Sequence, residues 1–112
     1  MTIRVNIGDT AEYREALAAS LTERGIPGYM HEAVIDYIMT GRPVGNFLTA
    51  LFSNDLMEAF GRADDNNQRC MLAYVKFLYN DVPMGCRGSP EAVLAWLSVG
   101  GLRGVLRERE TT

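Results

Sequence analysis

Apolar residues recur every three to four positions along most of the chain, which is the spacing of a helix face. Such patterns cover residues 9–24, 29–40, 44–60, 65–79 and 90–99, and glycine or proline separates each from the next. Ser89, Pro90 and Glu91 form a clear helix start, with a cap, a proline at the first position and an acid in the first turn. The pattern predicts an all-α fold, a compact bundle of four to five helices.

The first residues follow a different period. Ile3, Val5 and Ile7 alternate with polar residues over positions 2–8, which predicts a short β-strand. A lone strand needs a mate. That mate could be the tail near residues 102–106 or the same strand of a second subunit, and a poorly ordered arm is the third option.

The length of 112 residues suits one domain. We divide it into an N-terminal strand or arm over residues 1–8, a helical core over 9–101 and a partly disordered tail over 102–112.

Residues 44–60 predict a long central helix, and one acid lies within its apolar face. At about 100° per residue, Leu51, Leu56 and Ala59 fall on one apolar side, and Asp55 lies within that arc, between Leu51 and Ala59. An unpaired buried carboxylate is costly, so Asp55 is expected to accept hydrogen bonds from a donor on another helix or from the exposed amides of a helix N-terminus. We interpret it as a polar link between helices rather than a catalytic carboxylate, because structural networks also place acids in cores.

A second polar residue, Asn67, lies on the apolar face of the helix predicted over residues 65–79. A short turn joins this helix to the central one, so the two are expected to pack antiparallel. We therefore predict a structural polar core in which Asp55 accepts a hydrogen bond from Asn67, or from Arg62 or Arg69.

Charge and composition disfavour several classes of protein. The net charge of −3 and the pI near 5.1 argue against direct nucleic-acid binding. No apolar run approaches the roughly 20 residues that cross a bilayer, and no signal-peptide pattern opens the chain. Cys70 and Cys86 lack metal-ligand spacing and are expected to be reduced thiols in a cytoplasmic protein.

Catalytic signatures are sparse. There is no phosphate-binding glycine loop and no nucleophile elbow. With one histidine and two distant cysteines, we expect no metal site and no cofactor. A nucleophile pair of Cys86 and His31 stays an alternative, although nothing around Cys86 in sequence would stabilise a thiolate. Asp64 and Asp65 are most simply helix-cap residues.

A binding surface is favoured over a catalytic site. The candidate contact residues combine aromatic rings with amide or guanidinium groups, which suit a planar anionic ligand or a protein hot spot. They are Tyr29, His31, Asn46, Ser53, Asn54, Arg62, Tyr79, Arg87 and Trp96. Each also has a simpler interpretation: Tyr29 and Trp96 as packing at the edge of the core, and Ser53 and Asn54 as a solvated helix face.

The segments IPGYMHEAVIDYI, GNFLTALFSNDLMEAFGRAD, FLYNDVP and CRGSPEAVLAWL lie within residues 26–102, about two-thirds of the chain. Together they resemble a family of small, uncharacterised proteins encoded by phages and prophages. Arg87 stands where that family carries a Trp between the Cys and the Gly. The resemblance implies a phage context but brings no activity and no site residue. Small phage accessory proteins often act by binding, either blocking a host defence protein, as anti-CRISPR proteins do, or sequestering a small signal molecule.

We therefore predict a non-enzymatic accessory protein that acts in the host cytoplasm, forms a homo-oligomer, and binds a host protein or a small anionic, nucleotide-like ligand. One alternative is a small hydrolase or transferase that uses Cys86 or Asp55. Another is a protein-binding modulator of host transcription, with which the acidic pI agrees equally well.

Overall fold

The computed structural model describes residues 10–110, and the strand predicted over residues 2–8 lies outside the described residues. The described range is all-helical, as predicted, and contains no strand. Its helices are α1 (Thr10–Glu23), α2 (His31–Thr40), α3 (Asn46–Phe52), α4 (Leu56–Arg62), α5 (Asp65–Arg69), α6 (Met71–Asn80), α7 (Pro90–Val99) and α8 (Gly101–Glu110). Single 3₁₀ turns at Gly28–Met30 and Met84–Cys86 precede α2 and α7. Between residues 10 and 110, no helix is long and apolar enough to cross a bilayer.

Several helix ends lie where local chemistry predicts them. The Ser89 side chain accepts a hydrogen bond from the Ala92 amide at 3.0 Å and so caps α7. Gly41 ends α2 with a φ of 70°, a left-handed conformation that favours glycine. A Cβ at Gly41 would lie 2.7 Å from the Gly101 amide nitrogen, so this position also lets α2 and α8 approach closely.

The expected count of four to five helices was too low, and one reason is that the predicted central helix is broken. Residues 44–60 divide into α3 and α4, which are joined by Ser53, Asn54 and Asp55. Asn54 has a φ of 64°, the left-handed region that Asn adopts more readily than most residues. Asp55 is exposed and caps α4 by accepting a hydrogen bond from the Glu58 amide at 3.2 Å. The predicted burial of Asp55 and its pairing with Asn67, Arg62 or Arg69 were therefore wrong. The other predicted donor, an amide at a helix N-terminus, is the one that the structure shows.

Asn67 does lie in the core, as predicted, but its partner is Tyr74. The Tyr74 hydroxyl donates to the Asn67 side-chain oxygen at 2.6 Å, and both residues are buried. The helix that carries them is interrupted at Cys70, between α5 and α6. The tail predicted to be partly disordered covers residues 102–112, but residues 102–110 belong to α8, whose Leu102 and Gly104 are buried.

Tyr37 of α2 is fully buried and connects several elements of the core. Its ring packs on Phe52 with centroids 4.3 Å apart. The Tyr37 hydroxyl donates to the Cys86 carbonyl at 2.7 Å, and its own carbonyl accepts from Trp96 Nε1 at 3.0 Å. These bonds satisfy buried polar atoms and tie α2 to the second 3₁₀ turn and to α7.

The buried carboxylate of the described residues is Asp81, directly after α6. Its Oδ2 accepts hydrogen bonds from Arg24 Nε at 2.7 Å and from the Ser20 hydroxyl. The Tyr13 hydroxyl donates to the Asp81 carbonyl at 2.8 Å. Asp81 therefore fixes α1 along α6, the structural role that sequence analysis assigned to Asp55.

Candidate functional site

An apolar cleft of about 160 Å³ opens beside the break between α3 and α4. Its base is formed by buried side chains, among them Leu51, Phe52 and Leu78. Leu56 at the start of α4 and Tyr79 near the end of α6 line it while remaining 59% and 80% exposed. We call this depression the α4–α6 cleft. It is preformed and apolar, and the side chains that form its walls are exposed to water.

Three polar side chains stand at the cleft. Asn54 and Asp55 contribute from the helix break, and Arg87 contributes from the segment that precedes α7. Arg87 is held in place because its Nε donates to the Leu78 carbonyl at 2.7 Å. One acid and one base therefore line the same small space, which leaves it without a strong preference for charge of either sign.

Further exposed apolar residues lie on the two helices that border the cleft. Leu72, Val75 and Tyr79 are spaced three and four positions apart and form a second, outward stripe on α6. We define the α4–α6 face as these three residues together with the exposed Leu56, Met57 and Phe60 of α4. Contiguous exposed apolar surface on a soluble protein commonly marks an interaction site.

Three of the nine predicted contact residues, Asn54, Tyr79 and Arg87, come together at this cleft. Two others are buried. Trp96 is buried with its indole nitrogen hydrogen-bonded, and Ser53 is buried in the α3–α4 break.

The other four predicted residues do not line the cleft. His31 Nε2 donates to the Ile26 carbonyl at 2.7 Å and so orders the loop before α2. The exposed Arg62 pairs with Glu58 at 2.6 Å, one helical turn away. Asn46 is exposed at the first position of α3.

The fourth, Tyr29, donates its hydroxyl to Asp64 Oδ2 at 2.5 Å, on the exposed surface. This hydrogen bond, together with one from the Asn67 backbone amide, lowers the pKa of Asp64. The same interaction raises the pKa of Tyr29. Asp64 also caps α5, since it accepts from the Asn67 amide at 2.8 Å, which is the role predicted for it. This pair is an exposed structural link, separate from the cleft.

Sequence analysis missed the apolar part of the site. It placed Leu56 on the core face of a continuous helix, whereas the break turns this residue outward. The stripe of Leu72, Val75 and Tyr79 was a signal that could have been found, because these residues share a face that differs from the buried face of Tyr74 and Phe77.

The chemistry of the described residues gives little support to catalysis. Cys86 is fully buried, and that burial raises the pKa of its thiol to about 12, which disfavours the thiolate. No cluster of three or more His, Cys, Asp or Glu side chains that could hold a metal lies within residues 10–110. Comparison with known proteins found no matching family model, no similar curated protein and no similar solved structure.

Proposed function

We propose that this chain is a non-enzymatic accessory protein that acts by binding another protein through the α4–α6 cleft and face. The observation that carries the proposal is a preformed apolar cleft bordered by exposed apolar side chains on two helices. The resemblance to phage-encoded proteins supports a host protein as the partner, and inhibition of a host defence protein as the result.

The size of the cleft favours a protein partner over a small signal molecule. Sites for small molecules usually measure about 300–1,000 Å³, whereas this cleft measures about 160 Å³. A space of roughly 150 Å³ accommodates a benzene ring. The cleft therefore suits one apolar side chain, which is how a partner protein anchors itself at a hot spot.

The distribution of charge also disfavours a nucleotide-like ligand. In the cleft, Arg87 is accompanied by Asp55, and an acid would repel a phosphate. A second depression of about 360 Å³ beside α1 and α6 contains Arg24 and Lys76 but also Glu23, and Arg24 is engaged by Asp81. A third, of about 280 Å³, contains Arg42 together with the acids Glu32 and Asp36.

The hydrolase or transferase alternative lacks an activated group. Cys86 is inaccessible to solvent, and the raised pKa of its thiol disfavours the reactive thiolate form. Asp55 is engaged as the cap of α4. A modulator of host transcription would use the same kind of surface, and only the identity of the partner separates it from a defence inhibitor.

The test compares two arginine substitutions at equally exposed leucines. Leu56→Arg places a charge in the cleft, whereas Leu94→Arg places one on α7, away from the residues that line it; the two leucines are 59% and 67% exposed. Each tagged variant is incubated with host lysate, and retained proteins are identified by mass spectrometry. A host protein kept by the wild type and by Leu94→Arg, but lost by Leu56→Arg, is expected.

Native mass measurements on the same preparations complete the test. A ligand of nucleotide mass retained by the wild type would contradict the proposal, as would equal retention of host proteins by all three forms. If Leu56→Arg instead converts an oligomer into a monomer, the face joins subunits of this chain and the proposed host contact is wrong. A transcription protein as the specific partner would favour the transcription alternative.

A further inference from the structure

Arg87 is a partly buried cation that no acid of the described residues neutralises. Its Nε donates to the Leu78 carbonyl at 2.7 Å, and because Leu78 itself lines the α4–α6 cleft, the guanidinium is held beside that cleft. Within residues 10–110, Arg87 forms no ion pair, and its two terminal nitrogens form no hydrogen bond. The guanidinium therefore keeps a fork of N–H donors that is fixed in place and unused.

Asp55 brings the opposite charge to the same cleft without pairing with Arg87. Its Oδ1 accepts a hydrogen bond from the Glu58 amide, whereas its Oδ2 accepts none from the part of the chain that the structure describes. The cleft thus offers free donors and a free acceptor at separate points, around a space of about 160 Å³ that is otherwise apolar.

A partner has to satisfy these groups when it covers them. Filling the cleft with an apolar side chain removes water from Arg87, and an unpaired charge is costly to desolvate. The partner therefore needs a carboxylate next to its apolar anchor. Because the cleft holds about one side chain, the carboxylate and an N–H for Asp55 come most directly from the anchor residue itself. A C-terminal residue carries all three groups on one Cα, whereas a phosphate ester offers acceptors alone.

We propose that the α4–α6 cleft binds an apolar C-terminal residue of the partner protein, with its carboxylate bound by Arg87 and its amide donating to Asp55. This inference rests on the proposed binding function and specifies the part of the partner that is recognised. The residues that precede the terminus continue from the cleft onto the exposed Met57 and Phe60 of the α4–α6 face. A free amino acid would leave that apolar face uncovered, which favours a protein terminus.

Short peptides test the proposal without the host protein. The probe is an acetylated tripeptide of two glycines and a C-terminal leucine, compared with the same tripeptide as its C-terminal amide. Binding is followed by the NMR chemical shifts of the Leu78 and Gly88 amides, because both residues line the cleft. The acid form should bind with a dissociation constant of millimolar order. The amide form should bind about tenfold more weakly, because it cannot form a charge-assisted fork with Arg87.

Two arginine variants locate this selectivity. Arg87→Gln retains N–H donors but removes the charge, so it should bind the acid and amide forms equally. Arg62→Gln is the matched control, because Arg62 pairs with Glu58 and does not line the cleft, and it should keep the preference of the wild type for the acid form. Circular dichroism checks that both variants fold, and the wild-type comparison decides alone if Arg87→Gln does not.

Equal affinity of the wild type for the acid and amide forms would overturn the inference, as would the absence of any shift with the acid form. Tighter binding of free leucine would also overturn it, since the cleft would then belong to a free amino acid. Capture of a host protein that depends on Leu56 is compatible with equal affinity, because an internal side chain of a partner can fill the cleft. A preference for the acid form without any captured host protein would instead contradict only the proposed host contact.

Discussion

Replacement of Asp81 by Asn tests whether one buried carboxylate joins α1 to the end of α6. The Asp81 side chain is 0% exposed, and the Arg24 side chain that donates to it at 2.7 Å is 11% exposed. The Ser20 hydroxyl donates to the same oxygen. Asn keeps the shape of the side chain but removes the charge that offsets Arg24.

The burial of both partners sets the expected magnitude. Removing one member of a buried ion pair costs about 3–5 kcal/mol, because the other charge stays in a poorly solvated site. Exposed pairs contribute about 0–1 kcal/mol. Since a domain of this kind has a total stability of about 5–15 kcal/mol, Asp81→Asn should remove a large part of the free energy of unfolding.

Urea unfolding, followed by the fluorescence of the buried Trp96, measures the change. With a slope of about 2 kcal/mol per molar urea, the midpoint should fall by about 2 M. Glu58→Gln is the control, because the Glu58–Arg62 pair is about half exposed and should be worth less than about 0.5 kcal/mol. A loss below about 1 kcal/mol for Asp81→Asn, similar to that of the control, would refute the structural role of this carboxylate.

Three further predictions concern local interactions. Ser89→Ala should lower the free energy of unfolding by about 1 kcal/mol in the same urea assay, because it removes the cap of α7. The pKa of Asp64, measured by NMR titration, should lie below its usual value and rise in Tyr29→Phe. Because the pKa of Asp64 is lower in the folded state, the ionised Asp64 stabilises the fold above its unfolded pKa of about 3.9. This stabilisation is lost as the pH falls through the folded pKa. Alkylation with iodoacetamide, read by peptide mass, should modify the partly exposed Cys70 in the folded protein and leave Cys86 unmodified until the chain unfolds, and equal modification of the two would contradict the burial of Cys86.

Helix ends could be predicted from sequence wherever the signal lies within a few residues. Ser89 and Pro90 set the start of α7 without help from the rest of the fold. Gly25 and Gly41, both with positive φ, follow the ends of α1 and α2. Capping depends on neighbouring backbone groups, so one sequence is enough to recognise it.

The polar core could not be predicted in the same way. Asp81 lies in an irregular stretch where an acid would ordinarily face water. Its hydrogen-bond donors Arg24 and Ser20 are 57 and 61 positions away along the chain. No periodicity links such positions. By contrast, the burial of Asn67 followed from its own helix face, and only the identity of its partner was missed.

The residues that defeated the periodic pattern also produce the cleft. In a continuous helix through residues 44–60, Leu56 would lie on the core face together with Leu48 and Leu51. Asn54 adopts a left-handed conformation instead, and Asp55 caps a new helix with a different phase. Leu56 consequently turns outward beside α6, while Asn54 and Asp55 remain at the cleft as polar groups. Asp55, which the helical pattern predicts to be a buried link between helices, instead lies where α3 ends and caps α4. The change of direction at this point exposes the apolar side chains through which we propose the protein binds.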